Sequence, residues 1–194
     1  MGKERVRTVR RVGLVLLVMA LALIVGSGVA LAAVKFGTDG RDSLIGTNSE
    51  DVLYGRGGSD GLAGREEDDV LYGEGGGDFM HGGRVGWGMA PDGEDKLFGG
   101  NGSDCMFGGS QDDVLHGGEG NDDMGHYCYE FIMDTGNDVF YGGSGNDDIM
   151  AVEAPFSQPD LQERDLVFCG SGKDTVYYQK GVDRILDCER KNPR

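Results

Sequence analysis

The sequence predicts an all-β fold, and three observations predict it. Aspartate recurs every nine residues, beginning Asp42, Asp51, Asp60, Asp69 and Asp78. Two residues after each such aspartate stands an apolar side chain. Two residues before it stands glycine in ten of fourteen units, within a chain that holds 37 glycines in 194 residues. A glycine-rich stretch makes a tight turn because glycine enters positive φ without steric cost. The three residues after it make a short strand whose middle side chain alone points inward.

The units follow in order along the chain. After Asp78 the series continues through Asp95, Asp104, Asp113 and Asp122, then Asp138 and Asp147, then Asp165, Asp174 and Asp183. Their inward residues are Leu44, Leu53, Leu62, Leu71, Met80, Leu97, Met106, Leu115, Met124, Phe140, Ile149, Val167, Val176 and Ile185. The unit is therefore G-[G/x]-x-G-x-D-x-U-x, with U apolar. Repeats of this period are the mark of a solenoid, in which each unit buries its apolar residue only by stacking on the next.

This unit resembles the RTX, or haemolysin-type, calcium-binding nonapeptide repeat, and the resemblance covers roughly residues 37–186. It implies a parallel β-roll, a right-handed β-solenoid in which two units make one coil of eighteen residues. Residues eighteen apart then stack at about 4.8 Å, the strand spacing, and the turns pile into two columns. Aspartates so stacked repel one another unless a divalent cation lies between them. Calcium takes six to eight oxygen ligands in flexible geometry, from carboxylates and main-chain carbonyls. Thiolate and imidazole metals would need clusters of Cys and His, and the sequence has none. With only one inward residue in nine, the chain is expected to be disordered without calcium and folded with it.

The two columns differ. Odd units carry Asp42, Asp60, Asp78, Asp104, Asp122, Asp147 and Asp174, preceded without exception by glycine: Gly40, Gly58, Gly76, Gly102, Gly120, Gly145 and Gly172. About six ions, one per interval, are expected along that edge. Even units carry Asp51, Asp69, Asp95, Asp113 and Asp138, where weaker sites are expected. There Ser49, Glu67, Gln111 and Glu163 replace the glycine, and insertions near residues 84–91, 126–132 and 151–159 interrupt the turns.

On the even strands the flanking residues Val52, Tyr54, Val70, Tyr72, Phe98, Val114, Val139 and Tyr141 face outward and form an apolar stripe. A stripe of that kind marks a covered surface or an interface. One expectation is that Trp87, Met89, Phe131, Ile132 and Phe156 of the insertions fold over it; the other is a protein partner, a polymer or self-association. Cys169 and Cys188 lie one coil plus one residue apart, which puts them within disulfide range. Cys105–Cys128 is the remaining pair. His81 and His116 take outward strand positions, as surface histidines. Paired carboxylates such as Asp122-Asp123 recur along the repeat, so they read as ligands rather than as an acid–base pair. No nucleophile elbow, phosphate loop or HExxH motif occurs. A hydrolase-like enzyme is therefore the disfavoured alternative to a structural, surface-interaction or binding module.

Residues 1–32 read as a signal peptide: Lys3, Arg5, Arg7, Arg10 and Arg11, an apolar run from Val12 to Val25, and Ala30-Leu31-Ala32. The competing reading is an uncleaved membrane anchor at the cell surface. The roll is expected over 33–187, with a charged tail at 188–194. Formal net charge is −16, and without residues 1–32 it falls to −20. Such a surface repels nucleic acid, so cations are the natural partner. An even cysteine count fits a secreted, extracellular protein.

Overall fold

The computed structural model describes residues 31–83, 92–126, 135–152, 163–180 and 182–193. Among them every regular element is a strand, and the strands form two parallel sheets of eight. The first sheet contains β1 (Val34–Phe36), β3 (Val52–Gly57), β5 (Val70–Gly75), β7 (Lys96–Asn101), β9 (Val114–Glu119), β11 (Val139–Gly145), β13 (Leu166–Gly172) and β15 (Arg184–Leu186). The second contains β2 (Ser43–Ile45), β4 (Gly61–Ala63), β6 (Phe79–His81), β8 (Cys105–Phe107), β10 (Asp123–Met124), β12 (Asp148–Ala151), β14 (Thr175–Tyr178) and β16 (Arg190–Pro193). Successive strands alternate between the sheets, and each strand pairs in parallel with the strand two ahead. The architecture is the expected parallel β-roll.

Register follows the repeat. Leu53 pairs with Leu71 and Leu62 with Met80, eighteen residues on. Where the expected insertions fall, the step between laddered aspartates becomes 26, 25 and 27 residues without a slip in register. A one-residue slip would turn every core side chain outward, and the inner file keeps its phase across all three steps. The insertion side chains themselves lie outside the described residues, as does the basic and apolar start of the chain.

One file of side chains runs between the sheets: Leu53, Leu62, Leu71, Met80, Leu97, Met106, Leu115, Met124, Phe140, Ile149, Val167 and Val176 are all buried. Leu44 and Ile185 close the file and are partly buried. Two strands exceed the fourteen expected, one at each end. In β1 the inward register position, opposite Leu53, is Lys35; in β16 the position opposite Val176 is Lys191. Lys35 Nζ donates to the Ile45 carbonyl. A lysine at the core position ends the apolar file and blunts an open sheet edge against stacking on another chain.

Between its two end strands, the strands of the first sheet are longer than three residues because their pairing continues into the following turn, as at Arg56↔Glu74 and Gly118↔Gly143. Outside, that sheet carries a continuous stack of rings: Phe36, Tyr54, Tyr72, Phe98, His116, Tyr141 and Phe168. Neighbouring centroids are 4.3 to 5.0 Å apart and the planes lie within 12° of parallel. His116 is thus a member of the ladder, and partial burial lowers its pKa.

His81 corrects the expectation of a surface histidine. It is 4 % exposed, packs edge-on against Phe107 at 4.7 Å, and burial pushes its pKa down to about 4. Strand alternation gave its direction correctly, away from the inner file. The ring it packs against, Phe107, belongs to β8, a contact that the period does not encode.

The disulfide Cys169–Cys188 is present, with Cα atoms 5.1 Å apart. Cys105 is also disulfide-bonded; its expected partner Cys128 lies outside the described residues.

Truncating the inner file should be costly at its middle and cheaper at its end. In calcium-containing buffer, Leu115→Ala is expected to lower the unfolding free energy by about 3 kcal/mol and Leu44→Ala by roughly half as much, by urea titration.

Candidate metal centre

Strand alternation directs the residue before each strand into the wall of the roll, and there the repeat places aspartate. The odd aspartates form a ladder along one edge. The main-chain N–H of Asp60 donates to Asp78 Oδ1 at 2.8 Å and that of Asp78 to Asp104 Oδ1 at 2.8 Å. The N–H of Asp104 donates to Asp122 Oδ1 at 2.9 Å, that of Asp122 to Asp147 at 3.0 Å, and that of Asp147 to Asp174 at 3.0 Å. The even edge repeats this from Asp51 through Asp69, Asp95, Asp113 and Asp138 to Asp165, at 2.7 to 3.0 Å. One carboxylate oxygen per level is thereby satisfied by the preceding coil.

The second oxygen is not. Asp60, Asp78, Asp104, Asp122, Asp147 and Asp174 are each at most 3 % exposed, and the Oδ2 of each lacks a hydrogen-bond partner. Asp69 Oδ2 is in the same state on the even edge. A buried carboxylate oxygen without a hydrogen is among the costliest groups a fold can hold.

What surrounds it is oxygen. Five residues before each of these odd aspartates stands a glycine, or Cys169 in the last case. A Cβ built on Gly55 would lie 2.7 Å from Asp60 Oδ2 and 2.8 Å from the Gly73 carbonyl oxygen. At Gly99 it would collide with Asp104 Oδ2 and the Gly117 carbonyl, and at Gly117 with Asp122 Oδ2 and the Gly142 carbonyl. Each level thus sets a bare carboxylate oxygen beside the carbonyl of the next coil, in a space open only because the residue is glycine. The even edge has the same arrangement at Gly64, between Asp69 Oδ2 and the Gly82 carbonyl.

An all-oxygen cradle bearing a negative charge suits a hard divalent cation, calcium in particular. Among the described residues no three His, Cys, Asp or Glu side chains form one cluster. A cation here relies on one carboxylate per level and on main-chain carbonyls for the rest.

The glycines two before the odd aspartates do another task. Gly102 and Gly120 have φ of 139° and 140°, and a Cβ on either would strike the carbonyl of the previous coil's glycine. Gly58, Gly76 and Gly145 share the positive φ. On the even edge Glu67 and Gln111 hold the corresponding positive φ, at 66° and 81°. A non-glycine residue there costs about 1 kcal/mol or more. The two columns are alike at the carboxylates and differ in their turns.

The ends differ from the middle. Thr38 donates to Asp42 Oδ2 through its main-chain N–H at 2.6 Å and its hydroxyl at 2.8 Å, and these bonds hold the Asp42 carboxyl below its usual pKa. Thr47 N–H likewise donates to Asp51 Oδ2. In the interior burial raises the carboxyls instead: Asp104 and Asp69 to about 7, Asp147 to about 6, with Asp78 and Asp122 also raised. Asp122 and Asp123 do not form a pair. Asp122 enters the ladder, while Asp123 lies on β10 with its Oδ1 3.2 Å from His126 Nδ1.

The repeat unit opens on a glycine five before the aspartate, at Gly37, Gly55, Gly73, Gly99, Gly117 and Gly142, but sequence reasoning gave it no role at the site and singled out the −2 glycine instead.

Comparison with known proteins agrees with this geometry. Residues 36–68, 62–84, 92–124 and 134–151 match the model of the RTX calcium-binding nonapeptide repeat, in four copies. No curated protein matches the chain.

The raised carboxyls make a signed prediction. A folded-state pKa above the unfolded value of about 4 means that the cation-free roll holds extra protons. Stability from this source is full below about pH 4 and is lost as pH rises toward 7. In EDTA the β-sheet circular dichroism signal should therefore be larger at pH 5 than at pH 8. In calcium the order should reverse, because protons then compete with the cation.

Proposed function

Because the chain belongs to the RTX calcium-binding nonapeptide-repeat proteins, we propose that it is an exported β-roll that folds around calcium and serves a structural or surface-interaction role. The observation that carries this reading is the file of buried Oδ2 atoms facing carbonyl oxygens. Those atoms need a positive partner, and free calcium is plentiful outside cells at the 10⁻⁴ to 10⁻³ M where extracellular modules bind. Calcium binding is then folding energy for a chain whose inner file is one side chain wide. Residues 1–32 act as the export signal in this reading, and the roll runs from residue 33 through β16, which lies in the stretch expected as a charged tail.

The calcium ladder belongs to the odd column, through Asp60, Asp78, Asp104, Asp122 and Asp147, with weaker binding at Asp51, Asp69, Asp95, Asp113 and Asp138. What favours the odd edge is its unbroken set of turn glycines; Glu67 and Gln111 strain the even turns. The role is non-catalytic. The carboxylates are committed to the ladder, and the repeat is a structural unit in its family.

A second reading has its own observation. On the first sheet the outward residues flanking the inner file, from Val34 to Leu186, include no acidic side chain, although the exported part carries a formal charge of −20. Tyr54, Tyr72, Phe98 and Tyr141, with Val52, Val70, Val114 and Val139, make that face suited to a protein partner or a second chain.

Calcium titration of the EDTA-treated protein, followed by circular dichroism and light scattering, tests both. Disorder in EDTA and sheet signal in millimolar calcium are expected; identical spectra refute the first reading, and scattering that stays monomeric removes self-association from the second. Replacing Asp104 and Asp122 by Asn should raise the calcium midpoint several-fold more than replacing Asp69 and Asp113, and equal shifts would remove the preference for the odd edge.

A further inference from the structure

Among the described residues, the roll has one long side free of carboxylates. Its two turn columns carry exposed acids, with Glu50, Asp68 and Glu94 on the even edge and Glu74 and Glu119 on the odd edge. The outer side of the second sheet carries Asp123 and Asp148, and its Ala63, His81 and Phe107 are already buried. On the outer side of the first sheet, the residues flanking the inner file include no acid, and none of them is buried.

Charge decides how two such chains can meet. The exported part carries a formal charge of −20, and charge of that size keeps molecules apart. A second copy can come into contact without burying carboxylates only through the acid-free side. Calcium on the ladder carboxylates lowers the remaining repulsion. The size also fits. A partly exposed aliphatic or aromatic side chain leaves on the order of 50 Å² open, so the outward residues together offer roughly 800 Å², the share that one partner gives to a standard interface.

The relief of this side complements itself. The ring stack from Phe36 to Phe168, with centroids 4.3 to 5.0 Å apart, stands as one continuous ridge along the roll. Beside it runs a column of shorter side chains, Val52, Val70, Val114 and Val139, which leaves a groove. A two-fold axis along the roll sets the ridge of each copy in the groove of the other, rung on rung. It also lays Lys96 across Phe98 of the second copy, a cation over a ring. A two-fold axis along the strands would set ridge on ridge. Rings already stacked lose little freedom when covered.

We propose that the calcium-folded chain forms a two-fold dimer through the outer side of the first sheet, the ring ridge of each copy seated in the valine groove of the other. This pairing rests on the reading of that side as an interface, and it makes a second copy of the chain the occupant.

Sedimentation velocity on the full chain in millimolar calcium, from about 50 μM downward, tests it. A folded dimer is expected, which dissociates when EDTA removes the sheet signal. Val52→Asp and Tyr54→Lys, each with the sheet spectrum retained, should weaken the dimer about a hundredfold or more, because each buries an unpaired charge. Asn192→Asp, on the outer side of the second sheet, should leave it unchanged. Position 52 of one copy faces position 54 of the other, so mixing the two variants should restore association to within about tenfold of wild type. A folded chain that stays monomeric overturns the dimer, whether an insertion or another protein covers that side. Association that persists unchanged in both variants comes from another surface and overturns it too. A mixture no better associated than its components contradicts the seating of ridge in groove. A chain without sheet signal in calcium overturns the calcium reading, and the dimer falls with it. Should either variant fail to give the sheet spectrum, wild type decides. Lys96 should be acylated by an amine-reactive ester more slowly at concentrations where the dimer forms, with Lys173 unaffected; a Lys96 rate independent of concentration contradicts the dimer.

Discussion

One constraint organises this chain: along the odd edge, from Asp60 to Asp174, a carboxylate oxygen is buried at each level and has no hydrogen to accept. Each aspartate gives its first oxygen to the amide of the preceding coil, which locks the coils in register. The second oxygen is then held inside the wall, beside a carbonyl of the next coil. A cation there would satisfy both oxygens at once, and the stacking that brings like charges together would become the arrangement that binds it. The nine-residue period follows from this geometry. It is the length of one turn that can carry the carboxylate plus one strand that can bury a side chain.

The glycines have two separate causes. At Gly102 and Gly120 the backbone turns left-handed against the previous coil. At Gly99 and Gly117 there is no room for a Cβ between a carboxylate and a carbonyl. An alanine at the first kind of position strains the turn, whereas at the second its Cβ would strike the carboxylate and the carbonyl. The ends of the solenoid use different chemistry because the first coil has none before it and the last has none after it. Thr38 and Thr47 satisfy Asp42 and Asp51 locally, and Lys35 and Lys191 stop the apolar file. Glu189, whose carboxylate accepts the Asp174 N–H, and a disulfide finish the other end.

Much of this was legible in the sequence because a strict period converts directly into register. The inward residues, the ladder aspartates, the alternation between sheets and the Cys169–Cys188 bridge all followed from counting in nines and eighteens. What the period did not reveal lies where the chain departs from it. Strands β1 and β16 lack the aspartate–apolar pair, with Ala33 and Lys35 at one end and Glu189 and Lys191 at the other, so pattern matching passed over them. The burial of His81 depends on chain outside its own strand. The likeness of the two columns at the carboxylates was hidden because a substitution such as Glu67 alters the turn and leaves the cradle at Gly64 intact.

The most direct test of the central claim is diffraction from crystals grown in calcium, with anomalous difference maps collected at long wavelength. The account predicts a row of peaks along the odd edge, each against one aspartate Oδ2 and the carbonyls of adjacent coils, from Asp60 to Asp174. Maps with no peak beside Asp104 or Asp122, and with those carboxyls hydrogen-bonded to protein or water instead, would contradict it.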